Sequence, residues 1–148
     1  MLGRKIGHLI LVDDGSKDDT VAVARSLEGV QVHVHDKNKG YGGNQKTCYR
    51  LALEAGADIV KVFPATSLGP SFFKDIRGPL PQLRLMPTGG VTRENAGDWI
   101  RAGAVAIGAG SALVDSKAVA EGRLDVITAN ARHFIEAVRR ARVSEAGG

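Results

Sequence analysis

The sequence predicts an α/β fold in which parallel strands form an open twisted sheet with helices on both faces. Two observations lead there. Short apolar runs alternate about five times with segments whose apolar residues recur at helical spacing, the pattern of parallel strands joined by crossover helices. Most of these runs also end in glycine, proline or acidic residues just before a helical segment, as expected where a strand hands over to a helix through a tight loop.

The elements follow in order. His8–Asp13 is rich in Leu, Ile and Val and reads as a buried strand. Ser16 can cap the next helix, Lys17–Glu28, with Asp18 and Asp19 in its first turn and Val21, Ala24 and Leu27 on its apolar face. Val30–Asp36 alternates with period two, and its polar face of His33 and His35 predicts an edge strand. A glycine-rich loop, Asn38–Asn44, opens a helix from Gln45 to Ala55 with Cys48, Leu51, Ala52 and Ala55 inward. Asp58–Phe63 is a short buried strand closed by Pro64.

Pro70 suits the first turn of a helix carrying Phe72, Phe73 and Ile76. Leu83–Met86 is the fourth strand. Thr92 caps a helix through Ala96, Trp99 and Ile100 that Gly103 stops, and Ala104–Ile107 is a fifth strand of small residues. The last helix, Asp125–Arg142, aligns Ile127, Ala131, Phe134, Ile135 and Val138, and the residues after it form a frayed tail. With no repeat or linker, residues 1–148 read as one domain.

Composition narrows the function classes. The formal charge is +4, but Lys and Arg are scattered and only 5% of residues are aromatic. A nucleic-acid surface built on base stacking is therefore not expected, whereas small anions are favoured. No apolar run approaches the ~20 residues of a membrane span. The opening run ends in two aspartates without a small-residue cleavage site, so it is a strand and not a signal peptide. The single Cys48 cannot form an internal disulfide, which fits a reducing, cytoplasmic setting, and at mid-helix it reads as a small buried thiol.

Val12-Asp13-Asp14-Gly15-Ser16 and Asn38-Lys39-Gly40 give the first part of the chain a likeness. Leu9–Val60 resembles the nucleotide-binding part of family-two glycosyltransferases, so that residues 1–55 are assigned to a fragment of that type. The resemblance implies that Asp13 or Asp14 contacts the nucleoside of a nucleotide-sugar. The family's preceding strand is absent, and its metal-binding Asp-x-Asp is replaced by Lys61-Val62-Phe63-Pro64, so no metal site is expected. The plainer and favoured reading is that Asp13, Asp14 and Ser16 end a strand and cap a helix.

A second likeness rests on Lys61-Val62-Phe63-Pro64-Ala65, Gly69-Pro70, Pro87-Thr88-Gly89-Gly90-Val91 and Gly108-Ala109-Gly110-Ser111-Ala112-Leu113. Ala55–Arg142 resembles the last three βα units of 2-keto-3-deoxy-6-phosphogluconate (KDPG) aldolases, (β/α)₈ barrels of the Schiff-base class, and residues 56–142 are read as that half-barrel fragment. The resemblance makes Lys61 the lysine that forms an imine with pyruvate, here vestigial. Flanked by Val60, Val62 and Phe63, it is expected to be desolvated, which would free the amine for attack. Thr88, Gly89, Gly90, Gly110 and Ser111 would hold a substrate phosphate on bare backbone N–H groups near helix starts. The family's general-base glutamate and carboxylate-gripping groups come from the barrel half that is absent, and no cofactor is implied. The alternatives are a strand-end lysine reaching water and two tight turns.

Five strands cannot close an eight-stranded barrel. Deleting the glycosyltransferase strand lets His8–Asp13 pair with Asp58–Phe63, which gives the flavodoxin-like order 2-1-3-4-5. Lys61, Phe63, Met86, Thr88 and Ala106 then need cover from the helices Lys17–Glu28 and Asp125–Arg142, or from a second copy, so a monomer or a homodimer is expected. A join within Leu51–Thr66 reads as an engineered or recombined chimera that binds phosphate, sulfate or a small phosphorylated ligand. A Schiff-base aldolase acting on a phosphorylated keto acid, and a nucleotide-binding module, are the alternatives.

Overall fold

The computed structural model describes residues 8–146. The chain forms two compact units that divide between Asp58 and Ile59.

In the first unit, β1 (Leu9–Asp13) and β2 (Val30–Val34) pair in parallel, with Leu9 opposite Val30 and Asp13 opposite Val34. The crossover between them is α1 (Thr20–Ser26), and α2 (Gly40–Glu54) follows β2. Alternation along β1 sorts its side chains between the two helices. Ile10 and Val12 line a cavity with Cys48 and Ala52 of α2 and Ala55 just after it, whereas Leu11 lies with Val23 and Ala24 of α1 and Leu27 just after it. The helices therefore occupy opposite faces of the pair.

Both helix starts differ from the sequence expectation. Ser16 caps nothing: its amide, like that of Gly15, donates to Asp13 Oδ2, at 3.0 and 2.9 Å. Asp18 Oδ1 takes the Thr20 amide at 3.1 Å and the Thr20 hydroxyl at 2.6 Å. These side-chain turns satisfy the backbone outside a helix, so α1 waits until Thr20. By contrast α2 begins at Gly40 and not Gln45. Asn38 Oδ1 accepts the Gly40 amide at 2.9 Å, and the glycine run becomes the first turns of the helix.

The second unit contains β3 (Val60–Val62), a 3₁₀ turn (Ala65–Ser67), α3 (Gly69–Arg77), β4 (Leu85–Pro87), α4 (Ala96–Arg101), α5 (Ser116–Ala120) and α6 (Leu124–Ala146). β3 and β4 are parallel, Val60 opposite Leu85 and Val62 opposite Pro87. All four of these residues are buried, while Lys61, paired with Met86, is exposed on the other face. The core gathers Phe73, Ile76, Leu83, Leu85, Trp99 and Ile100. Phe73 meets Trp99 edge-on, with centroids 5.1 Å apart and planes at 66°, a favoured aromatic geometry.

Four expectations need correction here. Among the described residues the ladders form two two-stranded sheets, β1–β2 and β3–β4, so a continuous five-stranded sheet is not shown. The predicted fifth strand runs beside β4 without forming a ladder. Val105 donates to Leu85 O at 3.0 Å and Gly108 to Pro87 O at 2.9 Å, a three-residue step against a two-residue one. That extra residue is a bulge, and only the Thr88–Gly108 bridge survives. Nor is the face bearing Lys61 and Phe63 covered: both are exposed, Phe63 by 66%, and α6 packs on α4 and α5 instead. The last helix continues past Arg142 to Ala146, with Gly147 and Gly148 outside the described residues.

Candidate functional site

The carboxyl ends of β3 and β4 open into a cavity of about 460 Å³. Its lining brings together the residues singled out in the sequence: Lys61 from β3, Thr88, Gly89 and Gly90 after β4, and Gly110 and Ser111 beyond the bulge. Backbone bonds tie the first two loops. Ala65 donates to Thr88 O at 2.8 Å, Thr66 to Gly89 O at 3.3 Å, and Thr88 to Val62 O at 2.9 Å. Asn95 Nδ2 holds Gly90 O at 2.9 Å. Thr92 does act at the following turn, where Asn95 Oδ1 accepts the Thr92 amide at 2.8 Å and Thr92 Oγ1 the Asn95 amide at 3.4 Å, although α4 itself starts at Ala96.

Glycine is required at this turn for two separate reasons. Gly89 and Gly90 have φ of +78° and +77°, a region that other L-residues enter only at a cost. A Cβ at Gly90 would also lie 1.8 Å from Thr66 Cγ2, and one at Gly89 would lie 2.8 Å from the Phe63 ring.

Lys61 is not desolvated as expected. Its side chain is exposed, with Nζ 5.7 Å from the centroid of the Phe63 ring, a distance that permits a cation–π contact. Alternation is the reason: Val60 and Val62 take the buried face, which leaves Lys61 on the open one. Among the described residues, Lys61 is the sole ionisable side chain lining the cavity.

Asp13 and Asp14 lie elsewhere, in the first unit, and both are engaged by their own chain. Asp13 is buried, and its bonds with Ser16 and Gly15 hold its carboxyl below the usual range despite the opposing effect of burial. Asp14 Oδ1 accepts the Lys39 amide at 2.7 Å and lies 2.7 Å from His35 Nδ1. The Lys39 amide first, and then His35, lower the Asp14 carboxyl. His35 is buried, not part of a solvated polar edge, and its Nε2 is 2.8 Å from Thr47 Oγ1. The sequence reading missed this Asp14–His35–Thr47 chain. The β1–β2 register carries the signal that could have found it, since Asp13 faces Val34 at the strand ends and the residues that follow each, Asp14 and His35, leave side by side.

Cys48 is partly buried, and burial pushes its thiol up. Among the described residues no group of three or more His, Cys, Asp or Glu is placed to hold a metal ion. No described helix is long and apolar enough to cross a membrane.

Parallel strands, crossover helices and a cavity at the strand carboxyl ends, with a lysine beside glycine-rich loops, define a parallel α/β protein with a strand-end site. The chain belongs to the KDPG and KHG aldolase family, whose model matches residues 41–130, more than half its length. A second model, glycosyl transferase family 2, matches residues 5–55. The two matches overlap over residues 41–55, most of α2. Relatives of both types are found, as for a chimera.

The 2-dehydro-3-deoxy-6-phosphogalactonate aldolase of Escherichia coli K12 is 37% identical over 89 residues, 60% of this chain and 43% of that protein. The UDP-N-acetylglucosamine–dolichyl-phosphate N-acetylglucosaminyltransferase of Methanococcus voltae is 36% identical over 74 residues, 39% of this chain and 30% of that protein. A native KDPGal structure superposes with a TM-score of 0.58 at 28% identity, covering 89% of this chain and 59% of the other. A cube-shaped, porous protein cage designed by fusing symmetric oligomeric domains gives a TM-score of 0.60 at 27% identity, covering 93% and 47%. The chain thus spans less than half the length of the curated relatives it matches.

Proposed function

We propose that the chain is a recombined or engineered α/β scaffold that binds phosphate, or the phosphate of a small ligand, in the cavity of its second unit and does not turn over a keto acid efficiently. One observation carries this reading. The cavity gathers Lys61 with two glycine-rich loops, and among the described residues its lining contains no carboxylate. Backbone amides on bare glycine suit an anion, and a lysine adds charge. Aldol cleavage also needs a group to move protons, a contribution typically worth ~10²–10⁴ in rate. The match to two families and the likeness to a designed fusion support an assembled origin.

The test is thermal melting in inorganic phosphate, with chloride at equal ionic strength as the control. Phosphate should raise the melting temperature of the parent chain and leave Gly110→Val unmoved. Gly110 lines the cavity and a Cβ there meets nothing within 4 Å, so that variant puts a side chain at the site without a clash. No rise in the parent chain sinks the reading. The alternative, a Schiff-base lyase acting on a phosphorylated keto acid, is favoured by Lys61 lining the cavity. Sustained turnover of such a substrate, abolished in Lys61→Ala, would replace the scaffold reading.

A further inference from the structure

We propose that a groove on the second unit, between α6 and the segment Ala104–Ile107, binds an amphiphilic carboxylate: an apolar chain of medium length that ends in a carboxylate group. The groove shares no lining residue with the cavity at the carboxyl ends of β3 and β4, and the proposal does not depend on the reading given for that cavity.

The helical repeat of α6 builds the groove. Phe134, Ile135 and Val138 share one side of the helix, and Arg139 and Arg142 continue that side toward its C-terminal end. Ala106 and Ile107 complete the lining, around a volume of about 340 Å³ that lies within the range of small-molecule sites. Phe134 is buried and Ile135 is 51% exposed, so one apolar strip runs from the core out to the surface. Removing such a strip from water is favourable.

Charge selects the headgroup. The lining is apolar apart from the two arginines, and among the described residues no acidic group lines it. Arg142 Nη2 donates to Val105 O at 2.9 Å, which fixes the guanidinium and uses one of its five N–H donors. Among the described residues neither Arg139 nor Arg142 makes an ion pair, whereas the adjacent Arg140 is held by Glu136. Two guanidiniums without an acid, beside an apolar groove, suit a ligand that brings its own carboxylate, since the planar fork pairs with that group through two parallel bonds. The carboxylate would sit at Arg139 and Arg142, with the chain over Phe134 and Ile107.

Size and charge decide against larger partners. From Phe134 to Arg142 the helix rises by roughly 12 Å, a length that one extended alkyl chain can follow. A volume of about 340 Å³ receives such a chain, and not the row of side chains with which an amphipathic helix docks. A second copy presenting the same face would bring four guanidiniums together, a juxtaposition of like charges that opposes pairing.

The test titrates octanoate and decanoate, below their micelle concentrations, into the full chain. Calorimetry reads the affinity and the isoleucine methyl NMR signals read the place. One site is expected, with each added methylene tightening binding up to about four-fold. Signals of Ile107 and Ile135 should shift, and that of Ile10, in the cavity of the first unit, should not. Decyltrimethylammonium, with the same chain and the opposite charge, should bind roughly ten-fold more weakly than decanoate. Arg139 is exposed, so Arg139→Gln should melt like the parent chain while losing roughly ten-fold in decanoate affinity, and Arg139→Lys should recover part of that loss. Equal affinity for decyltrimethylammonium, shifts that extend to Ile10, or full decanoate affinity in Arg139→Gln overturns the proposal. So does binding only above the micelle concentration, the response to a lipid aggregate. Movement of the Ile107 and Ile135 signals with protein concentration alone would place a second copy on this face and overturn it as well.

Discussion

Asp14 Oδ1 and His35 Nδ1 lie 2.7 Å apart, and this contact joins the loop after β1 to the end of β2. Two further bonds extend it, from the Lys39 amide to Asp14 Oδ1 and between His35 Nε2 and Thr47 Oγ1. Neutral His35 donates from Nδ1 and accepts the Thr47 hydroxyl at Nε2. Protonated His35 donates from both nitrogens, and the hydroxyl can turn to Gly43 O, 3.3 Å away. The Thr47 hydroxyl therefore serves either protonation state.

Thr47→Val keeps the shape of the side chain and removes the hydroxyl, which leaves His35 Nε2 buried without its partner. A loss of about 1–3 kcal/mol is expected, the cost of an unsatisfied buried polar group. Urea unfolding followed by circular dichroism measures it, and Thr47→Ser should recover most of the loss. A Val variant as stable as the parent would show that the contact carries no net stabilisation.

The Asp14 carboxyl is lowered from 3.8 in the folded chain, so the folded state holds its proton less tightly than the unfolded state. Its contribution is fully present above 3.8 and is lost as pH falls through the lower folded value. The stability gap between the parent chain and Asp14→Asn should therefore be present above 3.8 and narrow as pH falls below it, read by urea unfolding at each pH. A gap that widens in acid would contradict the assignment.

Gly90→Ala combines two costs that can be separated. The left-handed backbone alone should cost about 1–2 kcal/mol, and the overlap with Thr66 Cγ2 adds to it. Replacing Thr66 with Ser in the Gly90→Ala background removes that methyl and should return the steric part only. Denaturant titration of the parent chain, Gly90→Ala and the double variant checks this. Full recovery in the double variant would mean that the backbone is not strained.

Phe73 is fully buried and packs edge-on against Trp99. Phe73→Ala should cost about 3–5 kcal/mol through lost transfer energy and the cavity left behind. Phe73→Leu, closer in volume, should cost less. Near-ultraviolet circular dichroism should report the altered Trp99 surroundings in both variants.

Periodicity made much of this molecule legible. The helical spacing of Cys48, Ala52 and Ala55 marked an inward stripe, and these residues share a cavity with Ile10 and Val12 of β1. The glycine loops flagged in the sequence do converge with Lys61, because residues following neighbouring parallel strands end on one edge. What stayed hidden depends on pairing between distant segments. Nothing local in Ala104–Ile107 announces the extra residue that breaks its ladder with β4. The side chains of Asp13 and Asp18 bind nearby amides and delay α1, a competition that propensity alone does not reveal. Lys61 read as desolvated because its neighbours are apolar, yet Val60 and Val62 face the opposite way and Phe63 is itself exposed beside it.

The overlap of two family matches within α2 carries a wider lesson about how folds recombine. A helix closes its backbone hydrogen bonds within itself, whereas a strand depends on a partner's alignment. A seam laid along a helix therefore leaves no ladder to be re-registered on either side, and only the inward stripe has to suit both parents. Cys48, Ala52 and Ala55 are small enough for that compromise. Segments bounded by such helices are natural units of exchange, for evolution and for protein engineers alike.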